Sequence, residues 1–520
     1  MSYQILDNKI SRFTNNTIFF LAAVCFVAVV IRFYYFPHGI PLSLDTLSYF
    51  FYANDVSILG ELPAGYHFPN NGWPVFVSFF FSMFHSSNLL DYMDLQRYIS
   101  ITLSIVTVVP VYFLCKRFVE KKYCLLGAAL FVFDPRIIQN SIQGDTQPLF
   151  ILLSAVALAL FFSNNIRTTY IAFSIAALSS LIRYEGLLLL IPFSVMFIIR
   201  FRKEPKIILK CCFVVVIVLA IIGPVSYFRT TSIGNDGLTS QVVGGAVAAD
   251  ILIKENGENG GINFILNGFI NLTKSLGWIL IPIFIFFVPI GVFYFVRKKE
   301  QKHAAIIFML LMMLIPALYA YSRDIRELRY LFIVFPILCV FSSFAIERLL
   351  DKNNGKNIIL TAIICGIIIA SLGFLDYKKI NYDHEREAYE ISKHISRITK
   401  VTNDYYPETK YTRLPVDMQG LPTVFNGTKF GPEFIPVEGF DSLEKFIESS
   451  NNRLDHLVLD GAESRPTFLN DVYYNKREYP YLIKEFDSTE LGYRYHMIIY
   501  KIDYEKFVEY KVQSTSMSQN

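Results

Sequence analysis

The sequence predicts a polytopic α-helical membrane protein that ends in a small extracytoplasmic α/β domain. Three observations carry this. Of the 520 residues, 53% are hydrophobic and 16% aromatic, with a mean hydropathy of +0.39, more apolar surface than a soluble chain of this size can bury. The apolar residues come in runs near twenty, the length that crosses a hydrocarbon core about 30 Å thick. Charge also divides unevenly. Residues 376–520 hold 24 acids against 19 Lys and Arg, hence −5, so with +4 on the whole chain residues 1–375 carry +9. That excess sits in short loops, which marks membrane topology rather than a nucleic-acid footprint.

Basic loops mark the cytoplasmic side. They hold Lys9 and Arg12, Lys116 to Lys122, Arg200 to Lys206, Arg297 to Lys302, and Arg348 to Lys356. Between two such loops the chain crosses an even number of times. Three apolar segments, at 17–36, 73–85 and 97–115, lie between Arg12 and Lys116. The middle one, WPVFVSFFFSMFH, is short for a span, so parity makes it an interfacial helix on the outer surface, with 45–60 as a second. The other spans are 123–135, 147–163, 168–182, 185–199, 207–228, 274–296, 304–321, 329–347 and 357–375, about eleven in all. The first run is too long, and lacks the small-residue cleavage site, to be a removable signal peptide. The long loop 229–273 includes INFILNGFINL, a candidate third interfacial helix. The N-terminus is then cytoplasmic, and residues 376–520 lie outside the membrane module 1–375.

In the C-terminal part, HEREAYEISKHISRI (384–398) places Ala388, Ile391, Ile395 and Ile398 on one helical stripe. A helix over 442–449 is capped by Asp441 or Ser442, and 454–460 and 493–503 alternate as strands. The seven cysteines all lie in or beside apolar runs, so neither a disulfide framework nor a zinc spacing is available to this domain.

Candidate chemistry gathers where outer loops meet the bilayer. In SLDTLSYFFYANDV (43–56), Asp45 reads either as the cap of a helix starting at Thr46 or as a general base for an acceptor hydroxyl. FDPRIIQNSIQGDTQPLF (133–150) holds Asp134, Arg136 and Asp145. Asp145 is either a cap ahead of Pro148 or a second acid facing Asp45, orienting the acceptor or sharing a divalent metal. LIRYEGLLLL places Arg183, Tyr184 and Glu185 between two spans, as a surface pair or as part of a site. YSRDIRELRY (321–330) repeats Arg323, Arg326 and Arg329 every three residues. Arg323 and Glu327 suit an i,i+4 pair, and three guanidiniums at headgroup level suit a phosphate. No P-loop, G-x-G-x-x-G or H-E-x-x-H occurs, which removes nucleotide binding and zincin chemistry. Sequons stand at Asn271 and Asn426 on the expected outer side and at Asn15 on the inner.

Taken in order, these stretches resemble the GT-C superfamily of integral-membrane glycosyltransferases, in particular the protein O-mannosyltransferase, aminoarabinose transferase and galacturonosyltransferase group. The matching residues are Asp45, Tyr49, Ala53, Gly60 and Pro69 or Pro74, then Pro135, Ser141 and Asp145, then RYEGLLLL (183–190) and RYLFIVFPIL (329–338). They cover about residues 30–350. Two features depart from the pattern. Many relatives have Asp-Glu where this chain has Asp45-Thr46, and the W-W-D-Y-G motif of oligosaccharyltransferases cannot be built from Trp73 and Trp278 alone.

The resemblance implies a GT-C fold and a hexosyl or pentosyl transferase in a prokaryotic cell membrane. Its donor is a sugar on a polyprenyl phosphate such as dolichyl phosphate, and its acceptor a hydroxyl of a glycan, lipid or protein. The transfer inverts the anomeric carbon with Asp45 as general base. Asp145 and Glu185 serve the acceptor; Arg183, Arg323, Arg326 and Arg329 hold the donor phosphate; Tyr49 and His67 line the site. No metal-ligand set is assigned. Mg²⁺ or Mn²⁺ enters only in the alternative, a metal-dependent enzyme of the oligosaccharyltransferase type using Asp45, Asp145 and Glu185 or His67. A lipid-linked-sugar transporter or flippase is the other alternative. It would place ionisable groups at mid-bilayer, whereas these sit at span ends.

Overall fold

The structure is a computed structural model, and it describes residues 2–66, 68, 71–163, 165–255, 260–350, 356–378, 382–398, 404–405, 440–450, 454–461, 465, 467–474 and 479–517. His67 and the sequon residue Asn426 lie outside the described residues. The chain divides into two compact units, one of residues 1–36, 55–84 and 93–379, the other of 37–54, 85–92 and 380–520.

Helix α1 (Ser2–Tyr34) is followed by α2 (Leu44–Leu59) and α3 (Gly72–Phe81), the two helices expected in the first outer loop. Then come α4 (Leu89–Val106), α5 (Val108–Cys115), α6 (Lys121–Val132), α7 (Pro135–Gln143), α8 (Gln147–Phe161) and α9 (Ile166–Ile182). A 3-10 turn at Tyr184–Gly186 leads into α10 (Leu187–Phe201), α11 (Ile207–Ile233), α12 (Thr239–Glu255), α13 (Gly260–Leu280), α14 (Phe287–Val296) and α15 (Gln301–Ser322). A 3-10 segment, Leu328–Val334, precedes α16 (Phe335–Leu350) and α17 (Lys356–Tyr377).

Each of the eleven expected spans has a helical counterpart. Among the described residues, seven are long and apolar enough to cross a membrane. The other four, α6, α8, α9 and α14, have 10 to 17 residues. At 1.5 Å per residue they reach only about 15–26 Å.

The loop 229–273 departs most from expectation. Its first half forms α12, started by Asp236, whose carboxylate accepts from the amides of Thr239 (3.0 Å) and Ser240 (2.9 Å). Its second half fuses with the head of the expected span 274–296 into α13. Pro282 has no amide proton to give, so the helix stops and α14 restarts at Phe287. Asn271 of the sequon is buried on α13 and donates its amide to the Tyr321 carbonyl at 3.1 Å, which removes it as a glycan acceptor in the folded chain.

Close helix approaches are set by glycines. A Cβ on Gly291 of α14 would stand 2.1 Å from the Phe341 carbonyl oxygen of α16, so no larger residue fits there.

The second unit carries a four-stranded sheet of β1 (Asp404–Tyr405), β2 (His456–Asp460), β3 (Leu482–Asp487) and β4 (Met497–Ile502), in the order β1-β2-β4-β3. β1 runs parallel to β2; β4 is antiparallel to both β2 and β3. Alternation along β2 sends Val458 to one face and Leu457 and Leu459 to the other. Val458 packs with Ile391 and Ile395 of α18 (Tyr382–Ile398), as the helical stripe requires. The opposite face is covered by α19 (Leu443–Ser449), α20 (Thr467–Tyr473) and α21 (Tyr504–Met517), which contribute Phe446, Leu469 and Phe507. The Ser442 hydroxyl caps α19 by accepting from the Lys445 amide at 3.3 Å. β3 was not expected. As an edge strand reading LIKEFD it buries little and shows no apolar alternation.

Candidate functional site

Of the expected acids and arginines of the first unit, Arg183, Glu185 and Arg329 line one cleft, and Asp145 stands behind Arg329. Its polar side is Gln147, Arg183, Glu185, Arg329 and Tyr330; its apolar side is Phe150, Met313, Pro316 and Ile333. Three connections between helices deliver the polar side chains. α7 closes on Gly144 in the left-handed conformation (φ 79°), and the chain turns there to present Asp145 ahead of α8. Gln96 of α4 fixes that turn by donating to the Gly144 carbonyl at 2.8 Å. α9 ends at Ile182, and the tight turn Tyr184–Gly186 presents Arg183 and Glu185. A Cβ at Gly186 would lie 2.7 Å from the Ser180 amide nitrogen, so the turn requires glycine. The 3-10 segment after α15 supplies Arg329 and Tyr330.

Inside the cleft the charges are paired. Arg183 donates to Glu185 Oε1 at 2.7 Å and to the Thr146 hydroxyl at 3.2 Å. Arg329 faces Asp145 Oδ2 at 3.4 Å and pairs on its other side with Glu327. In the amide orientation that satisfies its neighbours, Gln147 donates to both Asp145 oxygens (2.8 and 3.1 Å) and accepts from Arg183 at 3.2 Å. Asp145 is thus not the cap of α8. It accepts the adjacent Thr146 amide at 2.7 Å and otherwise serves Gln147 and Arg329. Glu185 is 7% exposed, and its Oε2 has no hydrogen-bond partner.

Other expected residues go elsewhere. Asp134 caps α7, accepting from the Arg136 and Ile137 amides at 2.9 and 3.3 Å. The Arg136 guanidinium donates to the carbonyls of Trp278 and Ile281, beside the break after α13. The three arginines of 321–330 do not share a helix face, because α15 stops at Ser322 and Asp324 is left-handed (φ 62°). Arg326, exposed, pairs with Asp324 at 2.7 Å. Arg323, also exposed, lies over the Tyr319 ring at 5.6 Å, and Glu327 pairs with Arg329 in its place. Asp45 is exposed in the first turn of α2, one residue inside the helix rather than at its cap, and Tyr49 is buried; both belong to the second unit.

Sequence reasoning missed Thr146, Gln147, Gln96 and Arg32. Arg32 is 0% exposed within an apolar run, and that position was a signal available from sequence. It donates to the hydroxyls of Ser141 (2.9 Å) and Ser104 (3.0 Å) and to the Ala28 carbonyl (3.2 Å), which ties α7 to α1 and α4.

Among the described residues no three His, Cys, Asp or Glu side chains converge, and Asp145 and Glu185 each face an arginine.

No family model and no curated protein matches the chain. Solved structures do. ArnT from Cupriavidus metallidurans, bound to undecaprenyl phosphate, superposes with a TM-score of 0.57 at 10% identity, over 94% of this chain and 98% of that one. The oligosaccharyltransferase of Archaeoglobus fulgidus, solved with zinc and sulfate, gives 0.56 at 13% identity, over 85% and 68%. The AglB enzyme of the same organism, with an inhibitory peptide and a dolichol-phosphate, gives 0.55 at 12%, over 85% and 69%. At such identities the likeness is one of architecture: this chain is a multi-pass helical protein with the GT-C membrane-enzyme fold shared by those glycosyltransferases.

Proposed function

We propose that the protein transfers a sugar from a polyprenyl-phosphate donor to an acceptor hydroxyl at the outer face of a prokaryotic cell membrane. The observation that carries the proposal is the GT-C fold with a cleft of buried, mutually paired charges at its loop ends. Two fold neighbours were solved with a polyprenyl phosphate, undecaprenyl phosphate in ArnT and a dolichol-phosphate in AglB.

In the transfer, the acceptor oxygen attacks the anomeric carbon from the face opposite the phosphate, so the configuration inverts. The bond from that carbon to the phosphate oxygen breaks, and its electron pair leaves with the polyprenyl phosphate. The acceptor proton passes to a carboxylate, the role assigned to Asp45. The departing phosphate gains negative charge, and a positioned guanidinium stabilises it. Arg323 suits this best, because among the described residues no carboxylate lies in ion-pair reach of it. Arg183 and Arg329 instead hold Glu185 and Asp145.

The test is binding of undecaprenyl phosphate to the purified protein in nanodiscs, alongside mass spectrometry of surface glycans with and without the protein. A charge-assisted hydrogen bond contributes about 1.5–3 kcal/mol, so Arg323→Ala is expected to weaken lipid binding by about tenfold or more. Arg323→Lys keeps the charge without the fork and is expected to lose less. Equal affinities for all three proteins would remove Arg323 from the phosphate site.

The orientation has its own check. In a background without native cysteines, Ser87→Cys is expected to react with an impermeant thiol reagent from outside, and Lys203→Cys only after the membrane is opened. Both positions are exposed. The reverse pattern would invert the topology.

A further inference from the structure

We infer that the membrane face on which α5, α8 and α10 end carries a site for an anionic phospholipid, whose headgroup phosphate sits between Arg117 and Arg200. The site lies apart from the cleft and does not depend on the transfer proposed above.

α8 ends at Phe161, and its last carbonyls give that end a partial negative charge. Two guanidiniums reach it from neighbouring helices. Arg117, two residues past the end of α5, donates through Nε to the Ala159 carbonyl at 3.4 Å. Arg200, in the last turn of α10, donates to the Phe161 carbonyl at 2.8 Å and to that of Ser163. These three carbonyls span four residues, about 6 Å of helix rise. Two positive charges are thus gathered at one spot, where they repel each other. A helix end offers only about half a negative charge against them. An anion that accepts from both guanidiniums relieves the repulsion.

Arg117 is exposed, and its hydrogen bond among the described residues uses Nε, so both terminal nitrogens face outward to such an anion. Exposed Lys116 stands beside it. The two connections concerned, 116–122 and 200–206, each hold four basic residues against one acid, hence +3 apiece. The ground just below is apolar. Val109 and Phe113 of α5 and Ile198 and Ile199 of α10 are exposed, on segments long and apolar enough to cross a membrane. Acyl chains cover such side chains, and a phosphodiester at the level of the arginines accepts their charge-assisted hydrogen bonds. A soluble anion would use the arginines and leave the apolar ground unused.

The experiment titrates phosphatidylglycerol with a fluorescent acyl chain into the full-length protein in detergent. Competitors are unlabelled phosphatidylglycerol, phosphatidylcholine and inorganic phosphate. Phosphatidylglycerol is expected to compete about tenfold or more better than phosphatidylcholine, whose choline brings a cation into a basic site. In Arg117→Gln that preference is expected to fall towards one; as a ratio within one protein, it is insensitive to partial misfolding. Arg297→Gln removes the same charge from another basic connection and is expected to keep the preference. No preference in the unaltered protein would overturn the inference. So would an equal loss in both variants, which would reduce the effect to general surface charge. Displacement of the lipid by excess inorganic phosphate would overturn it as well, by making the arginines a site for a free anion.

Discussion

Asp45→Asn is expected to slow sugar transfer by at least about two decades while leaving the melting profile almost unchanged. A positioned general base contributes about 10²- to 10⁴-fold, and an amide of the same size takes up no proton at neutral pH. Asp45 is exposed in the first turn of α2, where a negative charge favours the helix dipole by about 0.3–1 kcal/mol. Lipid binding is expected to persist, since the guanidinium assigned to the phosphate is elsewhere. The measurement is transfer from a polyprenyl-phosphate sugar by the purified variant, with its melting curve recorded in parallel. A rate near that of the unaltered protein would move the base assignment to Asp145.

Arg183→Met is expected to cost about 3–5 kcal/mol of stability, the usual penalty when a buried pair loses one partner and leaves the other charge stranded. The pair qualifies: the side chains are 10% and 6% exposed and meet at 2.7 Å. Arg183 also donates to Thr146 and Gln147, so its loss loosens the support of Asp145. The companion variant, Arg183→Met with Glu185→Gln, has no stranded charge and is expected to recover much of the loss. Chemical unfolding of both variants in detergent measures the difference. A double variant no more stable than Arg183→Met alone would show that the penalty comes from lost packing rather than from the unpaired carboxylate.

What the sequence disclosed depended on how local the signal was. The stripe of Ile391 and Ile395 and the cap at Ser442 are written within one helix, and they were legible. So were the first-loop helices, which followed from span length and parity. Segment 321–330 misled because three arginines at intervals of three imitate a helix face, whereas a single left-handed residue, Asp324, ends the helix beneath them. α12 was obscured by Gly244-Gly245 inside an otherwise apolar stretch. Individual members of the cleft could be picked out by residue type. Their pairings could not, because Arg329 meets Asp145 across 184 residues and Arg183 meets Thr146 across 37.

The burial of Arg32 sets an order for biosynthesis. Its hydroxyl partners Ser104 and Ser141 lie 72 and 109 residues downstream. At roughly 5–20 residues per second, the ribosome delivers Ser141 about 5–20 s after Arg32 has been made. Until then the guanidinium lacks part of its set of partners and keeps the Ala28 carbonyl of its own helix, at a cost of up to about 2.5–3.5 kcal/mol if it sits at the membrane centre. Two residues from the end of its helix, Arg32 can meanwhile snorkel to the interface and stay hydrated. The docking of α1 is therefore expected to wait on the emergence of α7.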